Sequence, residues 1–359
     1  MAKKISIIIP TFNRAHALRE YLPSFRRQVL RNYDQVELIV CDNASTDDTQ
    51  DALSEINGVE PFFSVVRYSE HEPEIGRSIF RSAENAQGDF IQFFGDDDLP
   101  APNMVDYILD VAERHPDVGC VHLNRLQTIT NSAAPLLPFK NLFVYESTYP
   151  DGEVIYDNTS DFINAIMTKT GFLGSFLLLR EAWNAGVRFY DRECFGFEFL
   201  PVIFMGIKDR KCICSWFPMM IQRQLEPARY AHLWPLYIYV GLPRVLQRVQ
   251  EGGVLRDWKA AYNKFYWQKD NSFFSQMVFY CTKHKEIYQP YFLEIRRNQE
   301  SYLRKMVVSV VRFPMPIVRF VRIFYYFLLT GYSVLLHLKA IVWTLGRFII
   351  RSVPSSLFK

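Results

Sequence analysis

The stretch Phe90-Ile91-Gln92-Phe93-Phe94-Gly95-Asp96-Asp97-Asp98-Leu99-Pro100 sets an apolar strand directly against three consecutive carboxylates. Like charges this close repel one another. A divalent cation relieves that repulsion, and hard oxygen ligands suit Mn²⁺ or Mg²⁺. Such a cation would hold a diphosphate and stabilise the charge that develops on it as it leaves. The competing reading is a solvated acidic turn before the next helix.

Outward from that stretch, residues 4–123 alternate between strand and helix signatures. Ile5–Ile9 is a short β-branched run that Pro10 stops, and residues 15–30 carry helical spacing in Leu18, Leu22, Phe25 and Val29. Val36–Cys41 reads as a second strand, with Ser45 or Thr46 capping a helix that begins near Asp47. Phe62–Val66 is a third strand, residues 76–87 a helix, Phe90–Phe94 the fourth strand, Asn103–Arg114 a helix and Val118–Leu123 a fifth strand. Such β-α repetition predicts a mostly parallel central sheet covered on both faces, a Rossmann-like α/β class. Ligands of these sheets bind beyond the carboxyl ends of the strands.

Two other strand ends are informative. The first reads Pro10-Thr11-Phe12-Asn13-Arg14, and the second Asp42-Asn43-Ala44-Ser45-Thr46-Asp47-Asp48-Thr49. An Asp at a strand tip can accept a hydrogen bond from a pyrimidine or a ribose hydroxyl. The plainer role of the second segment is a helix N-cap, with Asp47 and Asp48 near the positive helix end.

Together the three strand ends resemble the family 2 glycosyltransferases of the GT-A fold, in order and spacing, over about 120 residues. The resemblance implies that Pro10, Thr11, Asn13, Arg14 and Asp42 line a base and ribose pocket. It implies Asp97 as principal metal ligand, assisted by Asp96 or Asp98. Gly95 departs from the family's Asp-x-Asp-Asp, in the manner of abequosyltransferases of O-antigen assembly, which are similar in layout. Of the family's motif before the fourth strand only Gly76 and Asn85 fit, with Arg77 and Arg81 as candidate diphosphate contacts. Those arginines also have the i, i+4 spacing of a solvated helix face.

Inverting transfer needs a base to deprotonate the acceptor hydroxyl. By resemblance it stands at the start of a late helix, and Glu198 in Gly196-Phe197-Glu198-Phe199-Leu200 fits, with Asp191 and Glu193 as runners-up. Its apolar neighbours would raise its pKa. His122, after the fifth strand, is either turned to the site or structural. Beyond it, residues 126–155 read as a loop, Gly171–Arg180 as a strand, Phe195–Ile207 as a helix, Lys211–Ser215 as a strand, and residues 233–310 as mainly helical and aromatic.

The 359 residues carry a net charge of only +3, which conceals an asymmetry. Beyond Glu300 there are nine basic residues and no acidic one, so residues 1–300 carry −6 and the tail +9. Arg304, Lys305, Arg312, Arg319 and Arg322 share one arc of a helical wheel, interrupted by Pro314 and Pro316. Residues 323–338 lack charge but are too few for a spanning helix, which needs about 17–25 residues. An interfacial anchor on a lipid surface follows, and nucleic acid is not expected as a partner. The alternatives are a helix packed on the catalytic domain and an oligomer interface. The six cysteines show no framework or zinc spacing and read as reduced structural thiols; with no signal peptide evident, the expected place is the cytoplasmic face of the inner membrane, peripherally bound.

The expected organisation is a GT-A catalytic domain over 1–225 (nucleotide half 1–123, acceptor half 124–225), a helical extension over 226–300 and an amphipathic tail over 301–359. The expected reaction is metal-dependent transfer of a hexosyl or deoxyhexosyl group from a nucleoside diphosphate sugar to a lipid-linked glycan acceptor of a bacterial surface polysaccharide. Two other readings stand beside it: an inactive membrane-associated scaffold of the same fold, and a sugar nucleotidyltransferase. The latter would open on a Gly-rich phosphate loop, and residues 10–16 contain no glycine.

Overall fold

The computed structural model describes residues 4–56, 62–127, 152–222, 231–267, 281 and 284–298. The chain divides into two compact units, Met1–Lys269 and Asp270–Lys359. The first holds one nine-stranded sheet in the order β3-β2-β1-β4-β8-β6-β9-β5, with β7 also paired to β9. In the second, the described residues include a helix over Phe292–Arg297.

The sheet starts from β1 (Ile5–Thr11), β2 (Val36–Asp42), β3 (Phe63–Arg67) and β4 (Phe90–Phe93), all parallel to one another. Ile5, Ile7, Ile8 and Ile9 are fully buried on both sides of β1. A strand covered on both faces has no polar alternation, which is why the run is continuous rather than period-two. The helices α1 (Ala15–Leu30), α2 (Thr49–Ile56) and α3 (Ile75–Ala83) provide part of that cover. Along α1, Leu18, Leu22, Phe25 and Val29 are all 0% exposed, so the predicted stripe is its buried face.

Pro10 does not stop β1. The strand continues to Thr11, with Pro10 opposite Cys41 and Thr11 opposite Asp42. The carbonyls of Lys4 and Ile8 accept from Phe90 and Phe94, so the even-numbered residues of β1 face β4. Pro10 lies beyond the last β4 pairing, Ile8 with Phe93, so no ladder bond is lost. The α2 helix begins at Thr49 rather than near Asp47. Asp47, not Ser45 or Thr46, accepts from the Thr49 amide at 3.0 Å.

Beyond β4 the pairing becomes mixed. β5 (Leu99–Pro100) follows the acidic run, then come α4 (Met104–Arg114), β6 (Cys120–Gln127), β7 (Glu153–Tyr156) and α5 (Thr159–Ile166). Of the segment expected to be loop, 126–127 and 153–156 are therefore strand, and 128–151 lie outside the described residues. β8 (Phe176–Leu179) is shorter than the strand expected over 171–180, because a tight turn occupies Leu173–Ser175 and α6 (Arg180–Gly186) begins immediately after it. It runs antiparallel between β4 and β6. The carboxyl end of β6 thereby falls on the same sheet edge as that of β4. The helix expected from Phe195 begins later, as α7 (Phe199–Gly206), after Phe195 and Gly196 take positive φ of 28° and 70°. β9 (Cys212–Gln222) runs well past Ser215 and pairs with β5, β6 and β7. The helices α8 (Trp234–Leu236), α9 (Leu242–Glu251) and α10 (Trp258–Trp267) follow, in keeping with the helical reading of that region. All six cysteines are buried free thiols.

Candidate functional site

Parallel β1, β2, β3 and β4 deliver their carboxyl ends to one edge, and the loops there are bound to one another. Asn13, with φ 56°, donates its amide to Ser45 Oγ at 2.9 Å, and its Oδ1 accepts from the Thr46 amide at 2.8 Å. The Arg14 amide reaches Thr49 Oγ1 at 2.9 Å. Asn13 therefore splices the β1 loop to the turn before α2. The fully buried Asp42 accepts from the Ser45 amide at 3.0 Å and from Gln50 Nε2, and Arg67 at the end of β3 stands 4.0 Å from it. A cleft of about 650 Å³ opens alongside, lined by Ala44, Ser45, Thr46, Arg67, Tyr68 and Ser69. Phe12 and His71 stack face to face across the same edge, ring centroids 4.0 Å apart.

The three carboxylates after β4 part company. Asp96 accepts from Thr11 Oγ1 at 2.9 Å, and Arg14 lies 3.4 Å from Asp96 and 3.6 Å from Asp97. Asp96 and Asp97 thus converge on one guanidinium, which supplies the neutralising charge that the run of acids demanded. Burial pushes the Asp96 carboxyl up to about 6, against the pull of Arg14. Asp98 is only 2% exposed, and a Cβ at position 95 would overlap its carboxylate. Gly95 is therefore where Asp98 folds back, and Asp97 is left as the outward carboxylate, its side chain 26% exposed. Among the described residues no group of three or more His, Cys, Asp or Glu is arranged around a metal ion.

At Gly76, α3 meets the start of α7. Glu198 precedes the first residue of α7, and its Oε1 accepts from the Gly196 amide at 2.7 Å. Burial holds its carboxyl above the ordinary range, and Glu74 adds to that. Gly76 is the contact point: a Cβ there would meet the Tyr190 ring at 2.9 Å and Glu198 Cβ at 3.4 Å. Arg77 pairs with Glu74 at 3.5 Å and is half exposed. Arg81 turns the other way, donating to Asn43 Oδ1 at 2.6 Å with its guanidinium 3.6 Å from the Tyr68 ring centroid. Asn85 likewise serves the scaffold, donating to the Tyr68 hydroxyl at 3.1 Å. Asp191 and Glu193 are ion-paired to Arg248 and Arg244 of α9. That leaves Glu198 as the acid of this segment without a cationic partner among the ion pairs described.

His122 is 1% exposed, packed edge-on against Phe176, and held neutral by burial and by Arg125 and Lys169, which together bring it down to about 3. It is a core side chain. Above it, at the carboxyl end of β6, Asn124 Oδ1 accepts from Lys169 Nζ at 2.8 Å, and Arg125 donates to Gln222 Oε1 at 2.8 Å.

Sequence reasoning missed Arg67, Tyr68 and His71, although they follow the third strand of a parallel set, whose carboxyl end belongs to the site by the rule applied to the others. It also missed Glu74 and Tyr190, for which no local signal exists, because α3 and α7 meet only in three dimensions.

An all-parallel first half, an antiparallel insertion beside β4, and an acidic turn at the shared edge define the GT-A class of glycosyltransferase fold. S. aureus TarS 1–349 in complex with UDP-GlcNAc superimposes with a TM-score of 0.53 at 14% identity, covering 90% of this chain and 91% of that one. The mannosyltransferase PcManGT from Pyrobaculum calidifontis, in complex with GDP-Man and Mn²⁺, gives 0.50 at 16% identity, covering 96% and 84%. Residues 6–175 match the glycosyl transferase family 2 model. Abequosyltransferase RfbV of Salmonella typhimurium is 26% identical over 187 residues, 50% of this chain and 54% of that protein. The GalNAc(5)-diNAcBac-PP-undecaprenol β-1,3-glucosyltransferase of Campylobacter jejuni is 27% identical over 95 residues, 26% of this chain and 30% of that protein. The chain thus spans about half, or less, of the curated relatives it matches.

Proposed function

We propose that this chain transfers a glycosyl group from a nucleoside diphosphate sugar to a hydroxyl of a lipid-linked glycan acceptor, with Glu198 as the base. The observation that carries this reading is the convergence of Asp96 and Asp97 on Arg14, on the sheet edge that also holds the cleft lined by Ser45, Thr46 and Arg67. The cleft takes the base and ribose, with Asp42 and Arg67 supplying acceptor and donor groups. Thr11 holds Asp96, and Asp96 with Arg14 sets the position of Asp97. Arg77, half exposed at the start of α3, faces a donor's diphosphate.

Two carboxylates around a position already filled by a cationic group fit a Mn²⁺ or Mg²⁺ ion that completes its coordination with substrate phosphates and water. Asp97 would be its principal protein ligand with Asp96 beside it, while Asp98 is turned away. When bound, such an ion neutralises charge on the departing diphosphate. Glu198 takes the proton from the acceptor hydroxyl, whose oxygen bonds to the anomeric carbon as the bond from that carbon to the diphosphate oxygen breaks. A carboxyl with a raised pKa suits this role, since its conjugate base is the stronger proton acceptor. Attack from the side opposite the diphosphate inverts the anomeric centre.

The relative from Campylobacter jejuni, whose name carries a PP-undecaprenol acceptor, supports a lipid-linked acceptor, as does the tail. Residues 301–359 lie outside the described residues; their +9 charge and aromatic content support peripheral binding at the cytoplasmic face of the membrane. Among the described residues no helix is long and apolar enough to cross a membrane. Calorimetric titration with UDP, CDP, GDP and dTDP, with and without Mn²⁺, tests the donor site. One nucleotide should bind, more tightly with the metal, and Asp42→Asn should weaken it by about tenfold or more, the worth of a buried charge-assisted hydrogen bond. Absence of binding by all four would leave the inactive scaffold as the better reading.

A further inference from the structure

Glu74, at the N-terminus of α3, stands at the centre of a cluster drawn from two separate parts of the chain. Its Oε1 accepts from the Tyr190 hydroxyl, and its Oε2 lies 3.5 Å from both Arg77 Nε and Arg192 Nη2. Tyr190 in turn packs over Gly76, the glycine whose missing Cβ lets Glu198 approach α3. The two arginines are more than half exposed, at 54% and 59%, whereas Glu74 is 27% exposed. A small, partly buried carboxylate is thus neutralised by two cations that solvent, or an anion, can reach.

Resting on the reading of Glu198 as base, we propose that Glu74 is a positioning residue that couples donor binding to that base: a donor's diphosphate draws Arg77 and Arg192 away, leaving a bare carboxylate beside Glu198. A bare neighbouring anion makes Glu198 hold a proton more tightly, so the base gains strength when the donor is in place. The unliganded protein keeps Glu74 neutralised and Glu198 weaker, which restrains idle donor hydrolysis. The remaining charged groups near Glu198 do not offset this. Asp191 and Glu193 are taken up by Arg248 and Arg244 of α9, and the buried Cys194 thiol is pushed up to about 12, so it carries no charge near neutrality. Tyr190 is the hydrogen-bond donor that fixes Glu74.

The test is a ¹³C NMR titration of the full chain labelled at the glutamate carboxyl carbons, with the Glu198 signal assigned by its loss in Glu198→Gln. The Glu198 midpoint is expected to fall by about half a pH unit or more in Glu74→Gln, and to rise by a similar amount in Arg192→Gln, which strips one cation from Glu74 at an exposed position. Inorganic pyrophosphate, used as the anion probe, should raise the midpoint clearly more in the wild type than in Glu74→Gln, where only the anion's own charge acts. Midpoints that ignore both substitutions would overturn the proposal. So would pyrophosphate that moves wild type and Glu74→Gln equally, or that moves neither. These outcomes are independent of the base assignment itself, which fails separately if Glu198→Gln still transfers sugar.

Discussion

Asp96 shows how a single side chain can be both electrostatic solution and liability. Its carboxyl is pushed up to about 6 by burial, although Thr11 and Arg14 attend it. The folded chain therefore holds a proton there between about pH 4 and 6 that the unfolded chain has released. Stability from this group is present below the unfolded value and is lost as pH rises toward 6. The difference in melting temperature between Asp96→Asn and wild type should move in favour of the variant as pH is raised from 4 to 7. Calorimetric melts at matched ionic strength check the sign. Gly95 carries the second prediction at this scale. Any Cβ there overlaps the Asp98 carboxylate, so Gly95→Ala should cost about 1–3 kcal/mol by overpacking and disturb the turn that presents Asp97. Chemical denaturation with and without nucleotide reads both effects. The residues after β1, β2 and β4 were legible in the sequence because each follows an apolar run directly, and the parallel rule places such residues at a site. What each one does there was not legible. Asn13, expected to line the nucleotide pocket, also ties two loops together, because a strand end says where a side chain lies but not which neighbour takes its hydrogen bonds.

At the scale of elements, the proposed base, Glu198, depends on how α6 and α7 cross. Gly186 and Gly206 face each other, and a Cβ on either would run into the backbone of the other helix, at Val202 and Ala182 respectively. Backbone cannot step aside as a flexible side chain can, so Gly206→Ala should destabilise by about 2 kcal/mol or more. Because α7 begins at Phe199, just after Glu198, the same change should reduce transfer at temperatures well below the melting point, which thermal melts and activity assays run side by side would separate. β1, β2 and β4 were readable because burial on both faces writes them as largely apolar runs, whereas β3, at the sheet's edge, is only partly covered and was legible from its β-branched pair Val65 and Val66. β5 and β7 were not, since two and four residues hold no period and exist only through their pairing with β9. The late start of α7 escaped for a related reason. Phe195 and Gly196 look like helix continuation by apolarity, and only the positive φ at both shows the chain turning there.

For the molecule as a whole, the charge asymmetry separates a mildly acidic body from a basic tail. Binding of the full chain to vesicles containing anionic lipid should exceed binding to neutral phosphatidylcholine vesicles several-fold, and fall steeply as salt is raised from 0.05 to about 0.5 M, where screening shortens the electrostatic reach. Co-sedimentation measures it, and equal binding to both vesicle types would remove the electrostatic part of the account. Class and fold were readable at this scale because three strand-end motifs in order are a long-range pattern, even with each weak alone.

The most direct test of the central claim is donor hydrolysis. The full chain with Mn²⁺ is offered UDP-, CDP-, GDP- and dTDP-sugars beside Asp97→Ala, with membrane lipid extract as acceptor. The account predicts metal-dependent release of one nucleoside diphosphate, lost in Asp97→Ala. Release of none of the four, or release undiminished in Asp97→Ala, would contradict it.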